Sequence, residues 1–207
     1  RLDGAIAAGR DWHILKNGLN IKRYPVCYAL HSSIDGLLAL GSGGKIIPEE
    51  IKEIELSIGR FQAGMLRHSR PQTALDAKFS AEFAAASAVV AGGVGLAQLR
   101  DEFVRSAPVQ ALFPRVKVTA VDDPDPDEPL FARSDAVRVT LSDGTVLAGG
   151  PVRYALGHAR NPIGLDELRA KFDDCVGVAL APRRREALFA QLLELETLPE
   201  PAVLYRR

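Results

Sequence analysis

Apolar and polar residues change period along this chain, and each change marks an element. Leu30, Ile34, Leu37 and Leu38 recur at helical spacing, so a helix is expected over 31–40, with Ser32 or Ser33 as its cap and Gly41-Ser42-Gly43-Gly44 as its stop. Ile54, Leu56 and Ile58 then alternate with Glu53, Glu55 and Ser57, which predicts a half-buried strand over 51–59. An alanine-rich run over 76–91, free of internal Gly and Pro, reads as the longest helix and stops at Gly92-Gly93. Its residues are small on nearly every face, which suits close packing against another element. A short helix is expected over 96–104 and a strand over 115–121. Asp143-Gly144 between two alternating runs, 136–141 and 146–147, is a hairpin signal. Helices close the chain over 165–175 and 182–198, the second with Pro182 in its first turn.

Before the first of these helices, Pro25 bars Tyr24 from the α region, so 21–25 reads as extended. Residues 122–129 form an acidic loop stiffened by three prolines. The order of helix, strand, helices, strands, helices lacks strict βα alternation. It predicts an α+β fold: a small antiparallel sheet with helices packed on it.

Composition narrows the class without naming a function. The chain has 207 residues, 47% hydrophobic and 25% charged, with Lys+Arg 26 balanced by Asp+Glu 26. That is a globular composition with no basic excess for nucleic acid. No apolar run reaches membrane-spanning length and no secretory signal is visible, so a cytoplasmic protein with no membrane partner is expected. Cys27 and Cys175 stand alone, which predicts two reduced thiols and no metal centre. The chain opens on Arg1 and runs straight into Gly4-Ala5-Ile6-Ala7-Ala8-Gly9, as a fragment or processed product would.

Two segments carry candidate chemistry. In the first, Lys22-Arg23-Tyr24-Pro25-x-Cys27 is followed by His31 and Asp35. Lys22 and Arg23 near a helix start could bind carboxylates, Lys as a point charge and Arg as a planar fork. The alternative is two solvated cations and a capping histidine. In the second, Asp76-Ala77-Lys78-Phe79-Ser80-x-x-Phe83 puts a lysine and a serine near a helix N-terminus, where an anion could sit. The alternative is an ordinary first turn with Ser80 bonded back to the helix. Gly92-Gly93-Val94-Gly95 follows a helix and reads as a C-cap rather than a phosphate cradle.

Taken together, these segments resemble the C-terminal part of the MmgE/PrpD family. The resemblance continues through Gly95-Leu96-Ala97-Gln98, Leu141-x-Asp143-Gly144, Gly157-x-x-x-Asn161-Pro162 and Leu168-x-x-Lys171-Phe172, across about 20–200 and in the family's order. It implies the lid domain of a two-domain protein whose larger domain is helical. Known activities in that family include 2-methylcitrate dehydratase, cis-aconitate decarboxylase and iminodisuccinate epimerase. They remove or replace a group beside a carboxylate on a small di- or tricarboxylic acid, with no cofactor. The resemblance thus implies Lys22 as the catalytic cation, and Arg23, His31, Lys78 and Ser80 as substrate-binding residues. Residues 1–20 would lead in from a missing helical domain, 21–180 form the lid, and 181–207 pack back on that domain. A homodimer is implied for the complete protein, with the helical domain in cis or in trans. The resemblance departs at Phe83, where some dehydratase and decarboxylase members carry a tyrosine. The rival expectation is a non-catalytic remnant or partner-binding subunit, its alanine-rich helix offering an apolar face to another domain.

Overall fold

In the computed structural model, which describes residues 12–44, 46–200, 202 and 204, the strands form one sheet. The opening stretch 1–11 with its small apolar run lies outside the described residues. β1 (Ile51–Gly59), β2 (Val116–Val121), β3 (Ala136–Leu141) and β4 (Val146–Ala148) stand in the order β2-β1-β3-β4. β3 pairs antiparallel with both β1 and β4, but β2 runs parallel to β1. The fold is α+β as expected, and the sheet is mixed rather than wholly antiparallel. The connection explains this. A long helical crossover, residues 60–115, joins β1 to β2 and permits a parallel pair, whereas β3 and β4 share a tight turn. In that turn Leu141 N donates to Thr145 O at 2.8 Å and Gly144 takes φ 89°.

The alternation read in β1 sets the layers. Ile54, Leu56 and Ile58 are buried on the inner face, with Leu56 opposite Val118 on one side and Val137 on the other. Strict alternation would turn Ile51 outward. A register shift between Ile51 and Glu53 brings it into the core as well. The outer face is polar, and Glu53 and Glu55 pair there with Lys117 and Arg138.

The helices, in chain order, are α1 (His13–Asn17), α2 (His31–Gly41), α3 (Arg60–Ala63), α4 (Ala74–Ala77), α5 (Ala81–Ala91), α6 (Asp101–Val104), α7 (Ala107–Leu112), α8 (Leu165–Val176) and α9 (Pro182–Leu193). The α2 helix lies against β3 and α5, and α5 against β2 and α7.

Three predicted helices are redrawn. The run 76–91 is two helices, because Thr73 caps α4 by accepting from Asp76 N and Ser80 caps α5 by accepting from Phe83 N. The expected 96–104 helix shrinks to α6. Side chains take over its first amides: Gln98 accepts from Gly95 N and Asp174 from Leu96 N. The α9 helix ends at Leu193, followed by a 3-10 turn at Leu195–Thr197. A helix that the sequence reading did not expect, α7, follows, with Pro108 in its first turn, where a fixed φ suits it.

The apolar face expected of the alanine-rich helix is already covered within this chain. Ala81, Phe83 and Ala84 to Ala88 of α5 are buried, because small side chains let α2, α7 and β2 approach closely on several sides. Gly92 ends α5 in the left-handed region at φ 63°, as the C-cap reading requires.

Candidate functional site

The segment that carries Lys22 is held between two parts of the chain. On its N-terminal side, Ile21 N donates to Gly157 O at 2.7 Å and Asn20 Oδ1 accepts from Ala159 N at 2.8 Å. On its C-terminal side, Cys27 N donates to Lys78 O at 2.8 Å. That last bond seats the Lys22 segment on the turn between α4 and α5. It also brings both sequence motifs, some fifty positions apart, to one place.

Lys22 and Lys78 are both exposed, and neither makes an ion pair or side-chain hydrogen bond among the described residues. Phe79 beside Lys78 is also exposed, as are Trp12, Ile14, Leu15 and Leu19 on the approach to Lys22. Two free ammonium groups on adjoining segments, with uncovered apolar neighbours, can hold a multivalent anion once a second surface excludes water.

The other expected site residues sit differently. Arg23 is half-buried and its guanidinium lies 5.6 Å from the centre of the Tyr24 ring. It lines a groove of about 230 Å³ with Gln98, Lys171 and Asp174, a groove that Lys22 does not line. Ser80 is fully buried. Its hydroxyl accepts from Phe83 N at 3.0 Å and donates to Glu82 at 3.3 Å, so the cap and a carboxylate occupy it.

His31 is 0% exposed. Its ring packs edge-on to Tyr24 and tilted against Tyr28, with centroids 5.1 and 4.9 Å away. Among the described residues neither ring nitrogen has a partner of good geometry, although backbone groups of Tyr24 and Val26 face the ring. Burial, and then the positive charge of Lys22, lower its pKa to about 4. The imidazole is therefore neutral at physiological pH. It fills the core beneath the Lys22 segment rather than capping α2, whose N-terminus shows no side-chain cap.

Several residues to which the sequence reading gave no role shape this region. Tyr24 Oη donates to Asp35 Oδ1 at 2.6 Å, and Asp35 Oδ2 accepts from Leu156 N at 2.6 Å. Burial raises the Asp35 carboxyl and the Tyr24 phenol above their ordinary values. Asp135, 3% exposed, accepts from Ser33 Oγ at 2.9 Å, and burial raises its pKa to about 7. Asp135 lines a small polar cavity with Tyr28, Gln62, Glu128 and His158. At about 20 Å³ it has room for one water, not for a substrate. Asp35 carried a signal, since it falls one helical turn after His31. Asp135 carried none.

Among the described residues, no group of three or more His, Cys, Asp and Glu is placed to hold a metal ion. Nor, among them, is any helix long and apolar enough to cross a membrane.

Residues 24–195 match the MmgE/PrpD C-terminal domain. The chain is 24% identical over 203 residues to a cis-aconitate decarboxylase of Mus musculus, covering 94% of this chain and 40% of that protein. It is 33% identical over 119 residues to a 2-methylcitrate dehydratase of Cupriavidus necator, covering 52% of this chain and 24% of that protein. The chain thus spans less than half the length of either relative.

Proposed function

This chain belongs to the MmgE/PrpD family, and we propose that it forms the lid-side half of a lyase or isomerase acting on a small di- or tricarboxylic acid. The observation that carries this reading is the pair of exposed lysines, Lys22 and Lys78, brought onto adjoining segments by the Cys27–Lys78 backbone bond. A substrate carboxylate would meet Lys22. When a base removes the proton from the neighbouring carbon, charge moves onto that carboxylate, and a fixed ammonium stabilises the enolate-like species more than the ground state. Lys78 would hold a second carboxylate and set the orientation. The fully buried His31 and Ser80 would serve this site by shaping the two segments, with Arg23 acting from the adjoining groove.

The chain's own residues offer cations here. The acid–base groups would come from a helical domain, in cis or in trans, covering the exposed Trp12, Leu15 and Leu19. Closing the two halves would expel water and strengthen each contact. The reaction would need no cofactor, and the complete protein would be a cytoplasmic homodimer. The relatives' names support loss of water or of carbon dioxide, and epimerisation needs the same first proton transfer.

The test pairs the chain with a helical domain of the family and follows loss of α-protons from polycarboxylates in deuterated water by NMR. Exchange or dehydration that depends on Lys22 supports the reading. A verified folded complex that neither exchanges nor turns over any polycarboxylate removes the enzyme, and leaves a partner-binding protein.

A further inference from the structure

Two loops distant in sequence meet at one carboxylate. Asp35, on the second turn of α2, takes Tyr24 Oη on one oxygen and Leu156 N on the other, each at 2.6 Å. Tyr24 lies two residues beyond Lys22, and Leu156 precedes the glycine whose carbonyl receives Ile21 N. Asp35 therefore closes a loop of contacts in which the residues on either side of Lys22 are tied to one rigid helix.

Further features tighten that loop. Gly157 has φ 95°, and a Cβ built on it would stand 2.1 Å from Ile21 O, so the two backbones approach as only glycine permits. Gly157 N donates to Asn161 O at 2.9 Å, and Asn161 Nδ2 donates to Tyr154 O at 2.9 Å. These bonds fix the strap independently of Asp35. The Tyr24 ring also meets the Arg23 guanidinium, 5.6 Å from its centre, and packs edge-on to His31.

We infer that Asp35 is the positioning residue of the Lys22 segment, holding the ammonium at a fixed place on the lid by anchoring Tyr24 and the 156–159 strap together. This rests on the reading of Lys22 as the substrate cation. A half-buried carboxylate suits the task because it accepts from two donors at once. An amide in its place offers one acceptor and presents a donor to the other partner. Lys22 itself extends from an otherwise irregular segment, so its placement depends on such anchors rather than on a helix or strand.

The experiment uses the whole 207-residue chain, paired with a helical domain of the family that supplies the covering surface, and two substitutions, Asp35→Asn and Tyr24→Phe. Amide hydrogen exchange is followed at Ile21 and in β1, and citrate is titrated as the probe by calorimetry. Both variants are expected to speed exchange at Ile21 by about tenfold, the fold-change that goes with losing one hydrogen bond to a charged group, while β1 is unchanged. Citrate binding weakens by about the same factor. Should Asp35→Asn not fold, Tyr24→Phe removes one arm alone and carries the test.

Unchanged exchange at Ile21, or an equal rise in Ile21 and β1, overturns the anchoring role. Freed exchange with citrate bound as before, while Lys22→Ala abolishes binding, overturns positioning and leaves Lys22 as the substrate cation. Citrate binding that is absent from the start, or indifferent to Lys22→Ala, overturns the Lys22 reading and the positioning role with it.

Discussion

The amide of Cys27 donates to the carbonyl of Lys78 across 2.8 Å, and through that bond the two segments that carry Lys22 and Lys78 adjoin. Lys78 lies in the turn that separates α4 from α5, so the helix break and the meeting of the two segments are one structural event.

Replacing Lys22 by Ala should lower turnover of the completed enzyme by about a hundredfold or more, the usual cost of removing a group that stabilises developing charge. Because Lys22 is exposed and unpaired among the described residues, unfolding free energy should change by less than about 0.5 kcal/mol. Steady-state kinetics alongside urea melts would check both. An equal loss in stability and activity would point to a structural lysine.

Ser80→Ala should cost about 1 kcal/mol in urea unfolding, because it removes the cap on Phe83 N from a buried helix start. Citrate affinity should stay within about twofold of the unsubstituted chain, as the hydroxyl is occupied by the cap and Glu82. A large loss of affinity with unchanged stability would return Ser80 to the substrate.

Gly157→Ala meets two obstacles together, the positive φ of 95° and the Ile21 carbonyl. Strain of this kind costs roughly 1–3 kcal/mol before any clash is relieved, so the melting temperature should fall by several degrees. The neighbouring Gly150 has no atom near a built Cβ, and Gly150→Ala should leave the melt unchanged. Equal melts for the two variants would contradict the close approach of strap and segment.

Two buried groups pull stability in opposite directions with pH. His31 titrates near 4 in the folded chain against 6.5 ordinarily. Between those values the unfolded chain binds a proton that the folded chain refuses, so this group makes stability rise with pH. Asp135 titrates near 7 against 3.8. Here the folded chain keeps a proton that the unfolded chain has lost, so stability falls as pH rises across that window. Asp35 and Glu82, also raised by burial, add to the fall. Each of the two strong shifts acts on the order of 1 kcal/mol per pH unit. The unsubstituted chain should therefore show a shallow profile between pH about 4 and about 6.5. Asp135→Asn should tilt it upward and His31→Phe downward. Urea unfolding at several pH values gives the slopes, and three parallel profiles would refute the assignment.

Much of the sheet was legible because β1 and β3 alternate cleanly and Asp143-Gly144 is a local turn. The direction of β2 was not, since nothing in six alternating residues encodes which neighbour a strand finds or which way it runs. The 76–91 run read as one helix because it holds no Gly or Pro. Its break depends on hydroxyls from Thr73 and Ser80 and on Cys27 taking the Lys78 carbonyl, a contact made across the fold. Asp35 was visible beside His31, but its second partner, Leu156, lies 121 positions away.

The sequence by itself determined the α+β class, the family, and which cations are available, because periodicity, turn sterics and motif identity act over a few residues. Only the tertiary structure decided which of those groups face outward. It buried His31 and Ser80, left Lys22 and Lys78 uncovered, and tied their segments to one another and to Asp35. The physical reason is that desolvation and long-range hydrogen bonding depend on what packs against a residue, and the chain's local pattern does not carry that information.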